Sequence, residues 1–205
     1  MRVFYRFHPI RCGVFLLLLA LLSTYSDGWA QEIQGKNYNL TISQGTYTEL
    51  TNAYVFSTPT DIQPFYLVYL SDFNFNAFGV KLGFDSASTG GQGTLVSFEG
   101  YLAANMIPAN DSIVSFHAFL CNNFKRRDET SSISISQEGT PGDQIVKCQW
   151  KNFGFVGHPA SDFVNFQLWL HEKDNSISYH YGPMKITSKA AFKGAGGPVV
   201  GLSQA

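Results

Sequence analysis

Gln144–Gly182 reads QIVKCQWKNFGFVGHPASDFVNFQLWLHEKDNSISYHYG. Apolar and polar side chains alternate within three runs, and turn-forming residues separate the runs. A period of two is the signature of a strand with one buried face, so the stretch predicts three antiparallel strands. The runs Phe163 to Glu172 and Ile177 to Tyr181 read as a hairpin across Lys173-Asp174-Asn175-Ser176. Placing Glu172 opposite Ile177 sets Leu170 against Tyr179 and Leu168 against Tyr181. Val164, Phe166, Leu168, Leu170, Ile177, Tyr179 and Tyr181 then share the core face. A slip by one residue would turn all of them outward, so the register is well specified. In the preceding run Val146, Cys148 and Trp150 point inward, while Lys147, Gln149 and Lys151 point out. The outward face of the hairpin carries Gln167, Trp169, His171, Ser178 and His180.

Outward from this stretch the grammar is the same. Ser132 to Glu138 pairs with Gln144 to Phe153 across Gly139-Thr140-Pro141-Gly142-Asp143, a hairpin signal. Short strands are expected within Lys36 to Ser43, Thr46 to Phe56, Thr94 to Phe98, Ser112 to Leu120, Pro183 to Thr187 and Pro198 to Ser203. Phe65 to Leu70 (FYLVYL) is apolar without alternation, which predicts a strand covered on both faces or at a sheet centre. Phe73, Phe75, Phe78, Val80 and Leu82 extend the signal. Asp85 to Gly93 reads as a solvated turn. Asn122 to Ser131 is the most charged segment and reads as an exposed connection. Its Lys125-Arg126-Arg127 cluster is too short for a nucleic-acid patch. Ten to twelve short strands without amphipathic helices predict an all-β, antiparallel two-sheet sandwich, jelly-roll-like in outline.

The N-terminus is of a different kind. Arg2, Arg6 and Arg11 precede the apolar run Gly13 to Leu22, and small residues stand at Gly28 and Ala30. This is the form of a secretory signal peptide over residues 1–30. The apolar core falls far short of the ~20 residues that span a bilayer. Removal after Ala30 would leave a single domain, residues 31–205, with 11 basic and 14 acidic side chains and a net charge of −3. No basic excess exists for a phosphate backbone, which argues against a nucleic-acid partner. Export to the periplasm, cell surface or medium would permit a Cys121–Cys148 disulfide, worth about 3–4 kcal/mol for a loop of that length. Two small buried hydrophobes are the other reading of these cysteines.

Three pieces carry a resemblance: Cys148-Gln149-Trp150-Lys151-Asn152, Asn165 to Glu172, and Ile177 to Gly182. They resemble the QWKN, NFQ-x-x-L-x-E and I-x-x-x-YG segments of a β-sandwich module near the N-terminus of exported Bacteroidota proteins, many of which carry a type IX secretion sorting domain. Thr41 to Thr51 and Gly93 to Gly100 resemble further segments of that module, and a weaker similarity runs to nidogen-like extracellular modules. The resemblance implies a cell-surface or secreted module. It also makes Ser86 and Ser112, within Asp-Ser-apolar triplets, candidate O-glycosylation acceptors.

For chemistry, Trp169 flanked by Gln167, His171 and His180 could stack on a sugar ring. Burial of that face under another element is the bland alternative. The His171 and His180 pair lacks a third ligand nearby, so no metal and no other cofactor is expected. Glu99, Asp162 and Glu172 are the carboxylates a glycosidase would need in pairs, but no local motif pairs them. No nucleophile elbow, zinc-helix or phosphate-loop motif is present. The expectation is a noncatalytic module binding a glycan or a surface protein, with a degenerate jelly-roll hydrolase as the alternative.

Overall fold

A computed structural model describes residues 31–34, 39–56, 65–70, 72–77, 80–83, 94–97, 99–107, 113–120, 124–187 and 199–204. Residues 1–30, read from sequence as a signal peptide, and Ser86, Ser112 and Cys121 lie outside these residues. The chain divides into two compact units, residues 1–46 and 47–205. The first holds an antiparallel pair, β1 (Gln31–Gln34) and β2 (Asn39–Ile42), with Gln31 opposite Ile42.

The second unit is all-β and antiparallel. Its strands are β3 (Tyr54–Val55), β4 (Phe65–Val68), β5 (Phe75–Ala77), β6 (Val80–Gly83), β7 (Thr94–Ser97), β8 (Tyr101–Ile107) and β9 (Ile113–Leu120). They continue as β10 (Phe124–Arg126), β11 (Ser132–Glu138), β12 (Ile145–Phe155), β13 (Val164–His171), β14 (Ile177–Tyr181) and β15 (Val199–Gln204). One sheet runs β14-β13-β12-β11-β3, with β10 also on β12. The other runs β15-β9-β8, and the far side of β8 is then shared. Its Leu102 and Ala103 pair with β7, which carries β4. Its Asn105, Met106 and Ile107 pair with β6, which carries β5.

The core lies between the sheets. Val146, Cys148, Trp150, Val164, Phe166, Leu168 and Leu170 are fully buried on one side, and Phe75, Leu82, Val96, Leu102, Val114 and Phe116 on the other. Trp150 stacks on Phe166 at 5.0 Å between centroids, and its indole N–H donates across the sandwich to the Ser97 carbonyl at 2.9 Å. The alternation in Gln144–Gly182 therefore predicted the right faces, although Tyr181, assigned to the core with the rest, is 41% exposed on the edge strand.

The hairpin register differs from expectation by two residues. Leu170 faces Ile177, Leu168 faces Tyr179 and Phe166 faces Tyr181. A slip of two preserves every inward and outward assignment, so the side-chain pattern could not distinguish the registers. The turn decides instead. His171 N–H donates to the Ser176 carbonyl, Asp174 Oδ1 accepts from Ser176 N–H, and Asn175 takes φ 56°.

Other expectations are corrected. Phe65 to Leu70 is not covered on both faces: Phe65, Leu67 and Tyr69 are 47%, 48% and 49% exposed. The charged segment after Cys121 contains β10, whose buried Phe124 pairs opposite Phe155 and stacks on it. One large aromatic outweighs its charged neighbours. Pro183 to Thr187 contributes a single bridge, Phe163 to Lys185. Cys148 carries a free thiol, sealed in the core opposite Ile135 and Leu168; Cys121, the partner considered for it, lies outside the described residues. Burial pushes that thiol's pKa well up, and the residue serves as a small hydrophobe.

Candidate functional site

The four residues singled out on the outward face do come together. Strand pairing sets Lys147 opposite Trp169, Gln149 opposite Gln167, and Gln167 opposite His180. One half of this face is covered. Tyr47–Leu50 crosses it, with Leu50 N–H donating to Gln149 Oε1 at 2.9 Å and Gln167 Nε2 donating to the Thr48 carbonyl at 2.8 Å. Gln167 also donates to Gln149 at 2.8 Å, so two buried amides satisfy each other and a crossing segment. Burial raises the Tyr47 phenol to about 12 and keeps it a donor. It reaches Gln149 Oε1 at 3.5 Å.

The other half surrounds Trp169. Its indole N–H donates to Gln167 Oε1 at 2.9 Å. The His180 ring lies 4.1 Å away from the β14 side, and the Lys147 ammonium sits 4.5 Å from the ring centroid from the β12 side. Lys147 is in turn paired with Glu138 at 2.5 Å, and His171 Nε2 lies 2.8 Å from Ser178 Oγ. Burial lowers the pKa of both histidines below the ordinary 6.5, and Lys147 pushes them further the same way. Asp174 partly opposes this at His171. The cluster is thus two neutral imidazoles and a cation around a crowded indole. A divalent metal would meet the Lys147 charge, and among the described residues no group of three His, Cys, Asp or Glu side chains could hold one.

The three carboxylates considered for hydrolysis stand apart in role. Glu99 is exposed in the turn after β7. Asp162 is buried, accepts from Thr187 N–H at 3.0 Å and Thr187 Oγ1 at 2.8 Å, and lies 3.0 Å from His158 Nδ1. Glu172 is buried and accepts from three backbone amides: Asn74 at 2.9 Å, Gly142 at 2.8 Å and Gln144 at 3.1 Å. Burial raises both carboxyls, but the hydrogen bonds more than offset it and leave each pKa below the ordinary value.

The family-resemblance residues prove to be mutual partners. Asn152, at φ 54°, occupies an irregularity between Trp150 and Phe153 where the β12–β13 register shifts. Its N–H donates to Asn165 Oδ1 at 2.8 Å, and its side chain joins Asp128, Thr130 and Arg127. Gly182 N–H donates to the Asn165 carbonyl at 2.9 Å. A Cβ on Gly182 would stand 2.7 Å from the Tyr47 ring. Gly182→Ala is therefore expected to displace Tyr47 and loosen the 47–50 crossing, at a cost of about 1–3 kcal/mol. Denaturant titration checks this, and a change under about 0.5 kcal/mol would contradict the close approach.

Sequence reasoning missed an open groove of about 690 Å³ beside β4. All six residues Phe65–Leu70 line one side, and Tyr54, Phe56 and Ile135–Gln137 the other. Its floor is an aromatic series: Tyr54 meets Phe56 edge-on at 5.1 Å, and Phe56 stacks on Tyr66 at 5.0 Å. Tyr54 is 69% exposed. The signal was present in FYLVYL, an apolar strand with more apolar surface than one core face needs.

Fold and site together define an antiparallel β-sandwich module whose conspicuous polar groups are tied into its own framework. The chain belongs to the NIDO-related family, which it matches over residues 37–205. Searches among curated proteins and among solved structures found no match. No helix among the described residues is long and apolar enough to cross a membrane.

Proposed function

We propose that this chain is an exported, noncatalytic module that acts outside the cytoplasm by binding or assembly, with a surface protein favoured over a glycan as partner. Export is supported by the leader-like residues 1–30 and by the nidogen-related kinship. The observation that carries the reading is the contrast between two surfaces. Trp169, Asp162 and Glu172 are engaged by the protein's own groups, whereas the β3–β4 groove presents exposed aromatic and aliphatic side chains, Tyr54, Phe65 and Leu67 among them. Contiguous exposed apolar surface of this kind marks interaction sites. A general acid needs a pKa near the working pH, and both buried carboxyls are displaced the other way.

The test uses the mature chain on a polysaccharide panel and a glycan array. No turnover is expected, and no glycan signal that Trp169→Ala abolishes. Turnover that disappears in Asp162→Asn or Glu172→Gln, with the variant still folded by circular dichroism, would establish the hydrolase alternative instead. Glycan binding lost on Trp169→Ala would return the site to the outward face of β13.

A further inference from the structure

We infer that the outward face of β12 and β13 is a peptide-binding site held closed by Tyr47–Leu50. This strap is displaced by an extended segment of a partner protein that carries an aromatic residue and, two positions on, an acidic one. The inference rests on the binding reading above and concerns other residues than those of the β3–β4 groove.

The strap is seated as a ligand would be. Tyr47–Leu50 belongs to the second unit, and among the described residues it pairs with no strand. Side chains read it instead. Gln167 Nε2 donates to the Thr48 carbonyl at 2.8 Å, and Gln149 Oε1 accepts from Leu50 N–H at 2.9 Å. In an extended chain, residues two apart turn their backbone groups to the same side, so the two amides take an acceptor and a donor from one edge of the strap. Lys151 Nζ meets Glu49 Oε2 at 2.6 Å. The Tyr47 ring fills a slot floored by Gly182, where a Cβ would stand 2.7 Å from it. Backbone hydrogen bonds joined to a side-chain pocket are the means by which extended peptides are bound from another chain. The occupant observed is itself a peptide, and its Tyr47 and Glu49 name the chemistry of its competitor.

The strap can lift without stranding what lies beneath it. Gln149 and Gln167 are buried, and buried amides are costly unless bonded. Each keeps a framework partner when the strap leaves. Gln149 Oε1 accepts from Gln167 Nε2 at 2.8 Å, and Gln167 Oε1 accepts from the Trp169 indole at 2.9 Å. A face covered for good could carry apolar side chains here at no loss, since replacing both partners of a buried hydrogen bond is close to neutral. Two glutamines leave the face wettable when bare. The Glu49–Lys151 pair is exposed and adds little. Tyr47, the half-buried ring against Gly182, is therefore the main fastening.

Native-state hydrogen exchange joined to peptide titration tests this. In the wild type, Leu50 N–H is expected to exchange at least about a hundredfold faster than the paired amides of β12 and β13, through an opening confined to the strap. In Tyr47→Ala, and in Gly182→Ala from the other side of the slot, Leu50 is expected to lose its protection while β12 and β13 keep theirs. The capped peptide Tyr47–Asn52 (YTELTN) is then expected to bind Tyr47→Ala with a Kd below about 1 mM, because the strap in cis acts at an effective concentration of that order. Wild type, whose own strap competes, is expected to bind it at least about tenfold more weakly, and so is Tyr47→Ala when the peptide itself carries Tyr47→Ala. Leu50 exchanging in step with β12 and β13 in the wild type overturns the inference, whether or not the variants fold. A folded Tyr47→Ala protein that takes up no peptide, or binds a scrambled one equally well, overturns it too. Each of these outcomes leaves the noncatalytic reading standing, whereas turnover of a polysaccharide would remove that reading without altering exchange at the strap.

Discussion

Trp150→Ala is expected to destabilise the protein by about 3–5 kcal/mol, the cost of emptying a fully buried large aromatic site. In a domain of this size that corresponds to a fall in Tm of roughly 6–20 °C. The reason lies in its complete burial and in two specific contacts. Trp150 has no exposed surface, stacks on Phe166 at an interplanar angle of 13°, and donates its indole N–H to Ser97 in the facing sheet. Truncation removes the stack, leaves a void between the sheets and cuts the hydrogen bond that spans them. Trp150→Phe keeps most of the volume and loses the donor, so a smaller loss of about 1–2 kcal/mol is expected. Urea or thermal unfolding separates the two variants. A Trp150→Ala protein within about 1 kcal/mol of wild type would mean that the core collapses around the site.

That residue also marks how far the sequence could be read. Trp150 was assigned inward from alternation alone, as were Val146, Cys148 and the apolar side chains of β13 and β14. Alternation reports parity, and parity follows directly from burying one face of a strand. It does not report register: Leu170 meets Ile177 and not Tyr179, because pairings two residues apart satisfy the same pattern. Nor does it report what covers the polar face. Gln149 and Gln167 look like outward polar residues and are buried, because Tyr47–Leu50 returns from about a hundred positions away to bond them. Trp169 was weighed as a sugar platform against burial of its face under another element, and the neighbours named with it do lie around it. Only coordinates reveal that Lys147 and His180 crowd the ring from the two flanking strands. The groove failed for the opposite reason. An apolar run was taken as evidence of burial, yet composition cannot say whether the covering surface belongs to the same molecule.

Glu172→Ala is expected to cost about 3–4 kcal/mol, since bonds to a buried charge are strong and three amides would lose their acceptor together. The carboxylate joins three segments that alternation leaves unrelated: the approach to β5 through Asn74, the β11–β12 turn through Gly142 and Gln144, and its own turn after β13. Glu172→Gln keeps the size but turns one acceptor into a donor facing an amide, so an intermediate loss of about 2 kcal/mol is expected. The pH dependence identifies the charge as the cause. The folded carboxyl lies below its ordinary 4.5, so its contribution is complete above that value and is lost as pH falls through the folded pKa. Wild-type Tm should therefore fall on acidification below about 4.5, and Glu172→Gln should fall less steeply there. Asp162 titrates in a neighbouring window but is present in both proteins, so the difference between the curves belongs to Glu172. His171 and His180 add an earlier decline. Their folded pKa values lie below 6.5, so the unfolded chain takes up protons first and stability begins to fall as pH drops below that value in both proteins. Parallel curves below pH 4.5 would show that Glu172 is held by shape and not by its charge, and Asn74 and the β11–β12 turn would then need another anchor.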